Sequence, residues 1–75
     1  MKYQYITTDP QIMTGKPVVV GSRVPMSRIL FLLKEGYTLE AIHEEYPHVS
    51  FKNIKGAVDE LIETFDKSDY AAKIL

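Results

Sequence analysis

The stretch over residues 15–36, GKPVVVGSRVPMSRILFLLKEG, constrains the fold of this chain more than any other segment. Its three consecutive valines favour a β-strand over 18–20, and Gly21-Ser22 is typical of a two-residue hairpin turn with the chain returning over 23–24. Pro25 suits the first turn of a helix, where its missing N–H needs no partner, and Gly36 suits the position just after a helix ends. The stretch therefore predicts a short β ribbon joined directly to a helix over 25–35.

A chain of 75 residues makes one domain, of a size at which a single core only marginally offsets the chain entropy. Its residues are 45% hydrophobic and 25% charged, which is typical of a globular protein. Residues 3–7 are rich in β-forming side chains and end at Asp9-Pro10, which predicts a further short strand. Because so small a ribbon is marginal alone and has an unpaired edge, we expect it to pack on the helices or to pair across a dimer.

Apolar residues at helical spacing predict three helices that share one core. The second begins after Thr38 and ends before Pro47, while the third begins after Ser50; Thr38 and Ser50 are both good N-caps. Phe31 lies opposite the stripe of the first helix, and is either an ordinary exposed aromatic or, with Leu32 beside it, a subunit contact. The predicted buried stripes are Met26, Ile29, Leu30 and Leu33, then Leu39, Ile42 and Tyr46, then Phe51, Ile54, Val58, Leu61, Ile62 and Phe65.

Short connections between these helices, with a three- to four-residue turn between the second and third, match the helix-turn-helix arrangement. We therefore predict a mainly α fold, a three-helix, homeodomain-like helix-turn-helix core with a short N-terminal β ribbon. The single domain divides into the ribbon over 1–24, the helical core over 25–66 and a C-terminal arm over 67–75. Three-helix packing also serves many domains that contact no nucleic acid. Whether this chain binds DNA therefore has to be judged from the residues on the exposed side of the third helix.

The first half of the third helix carries the residue types that a recognition helix uses. Lysine reaches phosphate or guanine, asparagine pairs with adenine, and the helix dipole attracts phosphate. Solvated helix charges explain the lysines equally well. A glycine in the middle of a helix, such as Gly56, lowers helix stability by about 1 kcal/mol relative to alanine. Its presence indicates that another helix or a DNA backbone approaches closely there; the alternative is a surface position at which the residue type does not matter. The predicted DNA-binding residues are Ser50, Lys52, Asn53, Lys55 and Gly56.

Charge limits the strength of such binding. The net charge of −1 divides into +3 for residues 1–36 and −4 for residues 37–75, and Asp59, Glu60 and Glu63 follow the lysines on the third helix. The sequence pI of about 6.1 is below the basic value usual for a DNA-binding domain. We therefore expect any DNA binding to be weak and to need a dimer, while a merely uneven solvated surface is the alternative explanation of the asymmetry.

Two parts of the chain are candidates for contacts with a partner or a second copy. They are the ribbon, whose edge can accept a strand, and the apolar end of the C-terminal arm. Arg23 is either such a contact or closes the turn by hydrogen bonding to a local carboxylate or carbonyl. The predicted contact residues are Val18, Val20, Arg23, Phe31, Ile74 and Leu75.

No pattern in the sequence predicts catalysis or a cofactor. Gly15-Lys16 lacks the remainder of a phosphate-binding loop, and His43 and His48 have no third metal ligand at a recognisable spacing. The absence of cysteine excludes disulfides and thiolate metal sites and suits a reducing compartment. Because no signal peptide and no membrane span is visible, we expect a cytoplasmic protein. Because no catalytic or metal-binding pattern is present, we expect that it is not an enzyme and has no cofactor.

A resemblance to a known family is carried by two runs, ITTDPQIMTGKPVVVGSRVPMSRIL and LKEGYTLEAIHEEYPHVSFKNIKGAV. In order and spacing their motifs resemble the DUF433 family, small prokaryotic domains of unknown function often described as antitoxin-like, over about residues 5–65. Val20 departs from the family, which often has a basic residue there. The linked motifs are Asp9-Pro10, Gly15-Lys16-Pro17, Gly21-Ser22-Arg23-Val24-Pro25, Gly36, Tyr46-Pro47 and Ser50.

The resemblance implies a dimeric helix-turn-helix domain of the bacterial or archaeal cytoplasm. For some members it also implies an antitoxin that blocks the magnesium-carboxylate active site of a PIN-like ribonuclease encoded beside it and represses its own promoter. We therefore expect a dimeric DNA-binding antitoxin and autorepressor; a protein-interaction module without DNA binding is the alternative, and a small hydrolase is the least favoured. Candidate cations for blocking an acidic nuclease site are Arg23, Arg28, Lys34 and Lys73.

Overall fold

The fold is taken from a computed structural model, which describes residues 3–66 apart from the side chain of Met13. The mainly α fold class, with three helices and a short N-terminal β element, is confirmed, and the predicted arm over 67–75 lies outside the described residues. In chain order the elements are β1 (Ile6–Thr7), a 3₁₀ turn (Met13–Gly15), β2 (Val18–Val19), α1 (Met26–Lys34), α2 (Leu39–Glu45) and α3 (Phe51–Asp66).

In the β ribbon, β2 pairs on both of its sides with segments of the same chain, unlike in the predicted ribbon. β1 and β2 are antiparallel, with Ile6 opposite Val19. On the other side of β2, the Val19 N–H donates to the Val24 carbonyl at 2.9 Å, and the Met26 N–H donates to the Pro17 carbonyl at 2.9 Å. Since both edges of β2 are occupied within the chain, β2 has no edge left for a second subunit, and the prediction that the free edge of this ribbon pairs across a dimer is wrong for β2.

The turn after β2 is centred one residue earlier than predicted. The Ser22 N–H donates to the Val19 carbonyl at 3.1 Å, so Gly21 occupies the third position of the turn. Its φ of +73° is the positive value that a type II turn requires there. The Ser22 hydroxyl donates to the Val19 carbonyl at 2.8 Å and accepts from the Val24 N–H at 3.1 Å. Serine, and not Arg23, therefore closes this turn.

Both predicted N-caps are confirmed. The Thr38 hydroxyl accepts from the Ala41 N–H, and the Ser50 hydroxyl accepts from the Asn53 N–H, each at 3.1 Å. A helix leaves the N–H groups of its first turn without partners, so each of these bonds satisfies a donor that would otherwise depend on water. The two caps set the starts of α2 and α3, and with them the short connection between these helices.

The end of α1 follows the glycine rule. Gly36 has φ +96°, which costs a residue without a Cβ little. Its N–H donates to the Leu33 carbonyl while the Tyr37 N–H donates to the Leu32 carbonyl, both at 3.0 Å, which is the Schellman motif. At the other end Pro25 is the residue before α1, so the helix begins one residue later than predicted.

The core lies where one face of each helix meets β2. Ile29, Ile42 and Ile54, one from each helix, are fully buried, and Val19 packs with them. Burial of these side chains removes apolar surface from water, which is the main favourable term in folding. The core of so short a chain is correspondingly small.

The predicted stripes are wrong at three positions. Leu30, Ile62 and Phe65 are 44%, 54% and 44% exposed, whereas Leu32 and Ala57, at 3% and 0%, are buried. In α1 the buried face is centred on Ile29 and reaches Leu32 on one side, which leaves Leu30 at the opposite edge. α3 has 16 residues and spans about 24 Å, against about 14 Å for the nine residues of α1, so the apolar stripe of α3 continues past the helix that would cover it. Leu32 is therefore a core residue and not a subunit contact.

Candidate nucleic-acid interface

The N-terminal segment crosses α3 and covers one of its faces. The N–H groups of Gln4 and Tyr5 donate to the two carboxylate oxygens of Glu60, at 2.7 and 2.9 Å. The Tyr3 hydroxyl lies 2.9 Å from the Thr64 hydroxyl oxygen, one helical turn further along. We call residues 3–5 the strap. Glu60, one of the acids that follow the lysines on α3, therefore holds the strap through charge-assisted hydrogen bonds.

Gly56 lies one turn before Glu60 on the same face, and there the strap approaches α3 most closely. A Cβ on Gly56 would lie 2.8 Å from Cε2 of the Tyr5 ring, and closer still to Cγ and Cδ2. Real Cβ atoms essentially never make such contacts, so glycine is required by a ring of the same chain. The prediction that another helix or a DNA backbone approaches Gly56 is wrong, because the Tyr5 ring occupies that space.

The two predicted lysines both project from the first half of α3. Lys52 and Lys55 are exposed, as their spacing predicted. The Lys55 ammonium lies 2.8 Å from the Asp59 carboxylate one turn later, and the hydrogen bond and negative charge of Asp59 raise the pKa of Lys55 above its ordinary value. Exposed pairs of this kind contribute little to stability. Their consequence here is that Asp59 competes with any phosphate for one of the two cations.

Ser50 and Asn53 are partly engaged within the chain. The Ser50 hydroxyl serves as the cap of α3, and the half-buried Asn53 side chain places its amide nitrogen 3.5 Å from the Val20 carbonyl. This distance is at the outer limit for a hydrogen bond, so the contact is weak. A base contact by Asn53 would need the side chain to turn away from Val20, whereas Lys52 needs no such change.

The predicted partner contacts differ in accessibility. Val18 is fully buried, so its side chain is not available to a partner and this part of the prediction is wrong. Val20 is half-buried, and Phe31 is 48% exposed. Within residues 3–66 the Arg23 guanidinium has no hydrogen-bond or ion-pair partner, so the interpretation that it closes the turn is wrong and its role as a contact stays a prediction. Ile74 and Leu75 lie outside the described residues.

An apolar cleft between α1 and α3 is the feature that the sequence did not reveal. It consists of a deeper recess of about 450 Å³ and a shallower one of about 400 Å³. Leu30 and Leu61 line both recesses, so the two form one continuous surface, which we call the α1–α3 cleft. The signal was present, because Ile62 and Phe65 continue the apolar stripe of α3, but the periodicity alone assigned both residues to the core.

These features define a small three-helix domain in which a strap covers one face of the third helix and lysines project from its beginning. In the part of the chain that the structure describes, no helix is long and apolar enough to cross a membrane. The chain belongs to the DUF433 family of proteins of unknown function, whose family model matches residues 6–65, so the resemblance is confirmed. No curated protein and no solved structure matches it.

Proposed function

We propose that this chain is a dimeric DNA-binding antitoxin of the prokaryotic cytoplasm that represses its own promoter. The observation that carries the proposal is the beginning of α3, where the helix is capped by Ser50 and projects Lys52 and Lys55 into solvent. In helix-turn-helix domains, the start of the helix that follows the short turn contacts the base edges in the major groove. The helix N-terminus and the two cations both attract phosphate.

The charges on α3 make this binding weak for one subunit. If each subunit neutralises two phosphates, a dimer releases about four counterions, and log affinity falls with log salt at a slope of about −3.6. The Asp59 carboxylate lowers the affinity for DNA further, because it lies 2.8 Å from the Lys55 ammonium and competes with phosphate for it. Two half-sites on one DNA are therefore needed for useful affinity, since the second subunit then binds at a high effective concentration.

A mobility-shift titration of the upstream region of its own gene tests the proposal. We expect binding that resists competitor DNA, weakens with salt at the slope given above, and is largely lost when Lys52→Ala and Lys55→Ala are combined. Lys34→Ala, which removes an exposed lysine at the end of α1, is the matched control and should bind almost as the parent does. No binding at low salt, or equal loss in the control, contradicts the proposal.

The antitoxin part of the proposal concerns a ribonuclease with an acidic active site. Arg23 is the best candidate to enter such a site, because its guanidinium has no partner within the described residues and can bind a carboxylate through two hydrogen bonds. Arg28 is less available, since its Nε donates to the Tyr46 hydroxyl at 3.3 Å and its guanidinium carbon lies 5.4 Å from the Phe31 ring centroid.

Co-expression with the product of the adjacent reading frame tests this part. We expect the two proteins to purify together and the chain to inhibit ribonuclease activity. Arg23→Ala should weaken inhibition without changing DNA binding, and Lys52→Ala should do the reverse. If neither substitution separates the two activities, the assignment of the two surfaces is wrong.

A protein-interaction module without DNA binding is the second candidate, and the apolar α1–α3 cleft favours it. Within residues 3–66, Leu30 and Ile62 of this cleft are exposed, and clustered exposed apolar side chains are typical of a site for another protein. The same titration separates the candidates, since this one predicts co-purification with a partner and no DNA binding at any salt concentration.

A further inference from the structure

The Tyr5 ring joins the strap to the exposed lysines of α3. The Tyr5 N–H donates to the Glu60 carboxylate at 2.9 Å, while the ring lies over Gly56, one turn earlier on the helix. Since the ring extends from the strap backbone across Gly56, it carries its hydroxyl toward the beginning of α3. There the Tyr5 side chain lines a cavity of about 220 Å³ together with Lys52 and Lys55.

The polar groups around this cavity differ in whether they already have a partner. The Lys55 ammonium is bound by the Asp59 carboxylate at 2.8 Å, and Asp59 lines the same cavity. Within residues 3–66, neither the Tyr5 hydroxyl nor the exposed Lys52 ammonium has a hydrogen-bond or ion-pair partner. The Tyr5 hydroxyl and the Lys52 ammonium are therefore the donors of this cavity that an external acceptor can engage.

The chemistry of these two donors selects the oxygen of an anion. An ammonium and a phenolic hydroxyl both donate to oxygen, and one phosphate group offers enough oxygens to accept from both. Lys52 is the second residue of α3, where the helix dipole also favours negative charge. The Asp59 carboxylate repels an anion from the Lys55 side of the cavity, so the anion should lie between Tyr5 and Lys52.

We propose that Tyr5 is a DNA-binding residue whose hydroxyl holds one backbone phosphate together with the Lys52 ammonium. The inference rests on the proposed function in one respect, the contact between α3 and DNA. It does not depend on a dimer, an operator sequence or a toxin. Phosphate contacts fix the orientation of a protein on the duplex without reading the base sequence. The strap therefore helps to set how the start of α3 lies against DNA.

The Tyr5 hydroxyl is in place before DNA arrives. The Glu60 carboxylate fixes the strap backbone at Gln4 and Tyr5, and the missing Cβ of Gly56 leaves room for the ring. A tyrosine has only two side-chain torsions to order, whereas an exposed lysine has four and loses more conformational freedom when it binds. The hydroxyl of Tyr5 is thus a preorganised contact, which lowers the entropic cost of binding DNA.

Binding of a DNA duplex of arbitrary sequence tests the proposal, because phosphate contacts do not depend on the bases. Tyr5→Phe removes the hydroxyl and keeps the ring over Gly56. We expect the affinity to fall about tenfold for each bound subunit, which is typical of losing a hydrogen bond to a charged group. Because a neutral hydroxyl displaces no counterion, the slope of log affinity against log salt should stay unchanged.

Two further variants provide the comparison. Lys52→Ala removes a cation from the same cavity, so it should weaken binding and also make the salt slope shallower by about 0.9 for each bound subunit. Tyr3→Phe is the matched control, because it removes the other hydroxyl of the strap, which lies 2.9 Å from the Thr64 hydroxyl oxygen. Thr64 is about 13 Å further along α3 than Lys55, so this variant should bind DNA as the parent does.

A double-mutant cycle tests whether Tyr5 and Lys52 hold the same phosphate. Tyr5→Phe combined with Lys52→Ala should weaken binding by less than the product of the two separate losses, because each group depends on the position of a shared ligand. Fully independent losses would overturn the shared site. Urea denaturation should give the same midpoint for Tyr5→Phe and the parent, as expected when the hydroxyl contacts DNA and not the fold.

The outcomes separate this inference from the proposed function. Unchanged affinity in Tyr5→Phe, or a shallower salt slope in that variant, overturns the inference while the parent still binds its own upstream region. A tenfold loss with an unchanged slope supports the inference, even if the chain shows no preference for that region and represses nothing. Failure of the parent to bind any duplex at low salt overturns both.

Discussion

Replacing Gly56 by alanine tests whether the strap, and not a partner, explains glycine in the middle of α3. On helix propensity alone, alanine should stabilise the helix by about 1 kcal/mol. The structure predicts the opposite sign, because the new Cβ would overlap the Tyr5 ring at Cγ, Cδ2 and Cε2. Since Cγ lies on the axis about which the ring turns, rotation about the Cβ–Cγ bond cannot relieve the overlap. Either the whole Tyr5 side chain has to leave its rotamer and its place on α3, or the strap has to move.

The net effect follows from three contributions. Overpacking at a filled position costs about 1–3 kcal/mol, and any movement of the strap would also weaken the hydrogen bonds from Gln4 and Tyr5 to Glu60. Set against the helix gain, Gly56→Ala should lower the free energy of unfolding by about 1–2 kcal/mol. For a domain of this size that lowers Tm by about 4–16 °C.

A double-mutant cycle with Tyr5→Ala isolates the cause. In that background the ring is gone, so Gly56→Ala should stabilise the protein by about 1 kcal/mol, and the sign of its effect should reverse. Urea denaturation followed by circular dichroism measures all four proteins, at one protein concentration because dimer formation raises apparent stability. Stabilisation by Gly56→Ala with Tyr5 present would refute the reasoning.

Three further predictions concern the caps and the charges of the helices. Thr38→Ala and Ser50→Ala should each lower the free energy of unfolding by about 1 kcal/mol, measured by urea denaturation, and an unchanged midpoint would show that the cap bonds contribute nothing. Gly36→Ala forces a Cβ into φ +96° and should cost about 1–2 kcal/mol in the same assay; a neutral effect would contradict the Schellman ending of α1. Asp59→Asn should lower the pKa of Lys55 toward its ordinary value, seen by NMR titration, and should tighten DNA binding at low salt. Weaker DNA binding in this variant would mean that Lys55 does not contact phosphate.

The exposed lysines of the candidate interface could be predicted from the sequence, whereas the contacts between α3 and the strap could not. Helical spacing predicted correctly that Lys52 and Lys55 face solvent. It could not predict that Glu60 and Gly56 serve the strap, because the bonds from Gln4 and Tyr5 join residues 56 and 55 positions apart. Nothing in the sequence around Gly56 or Glu60 indicates that these residues contact Gln4 and Tyr5, which lie far away along the chain.

By itself the sequence determined the N-caps of α2 and α3, the glycine at the end of α1 and the fold class. Thr38, Ser50 and Gly36 act on backbone groups within a few residues, so the chemistry that places them is complete in the local sequence. Only the tertiary structure decided which apolar residues are covered. Leu30 and Phe65 satisfy the same periodicity as Ile29 and differ from it in burial, because burial depends on how far each neighbouring element extends and which side it packs on.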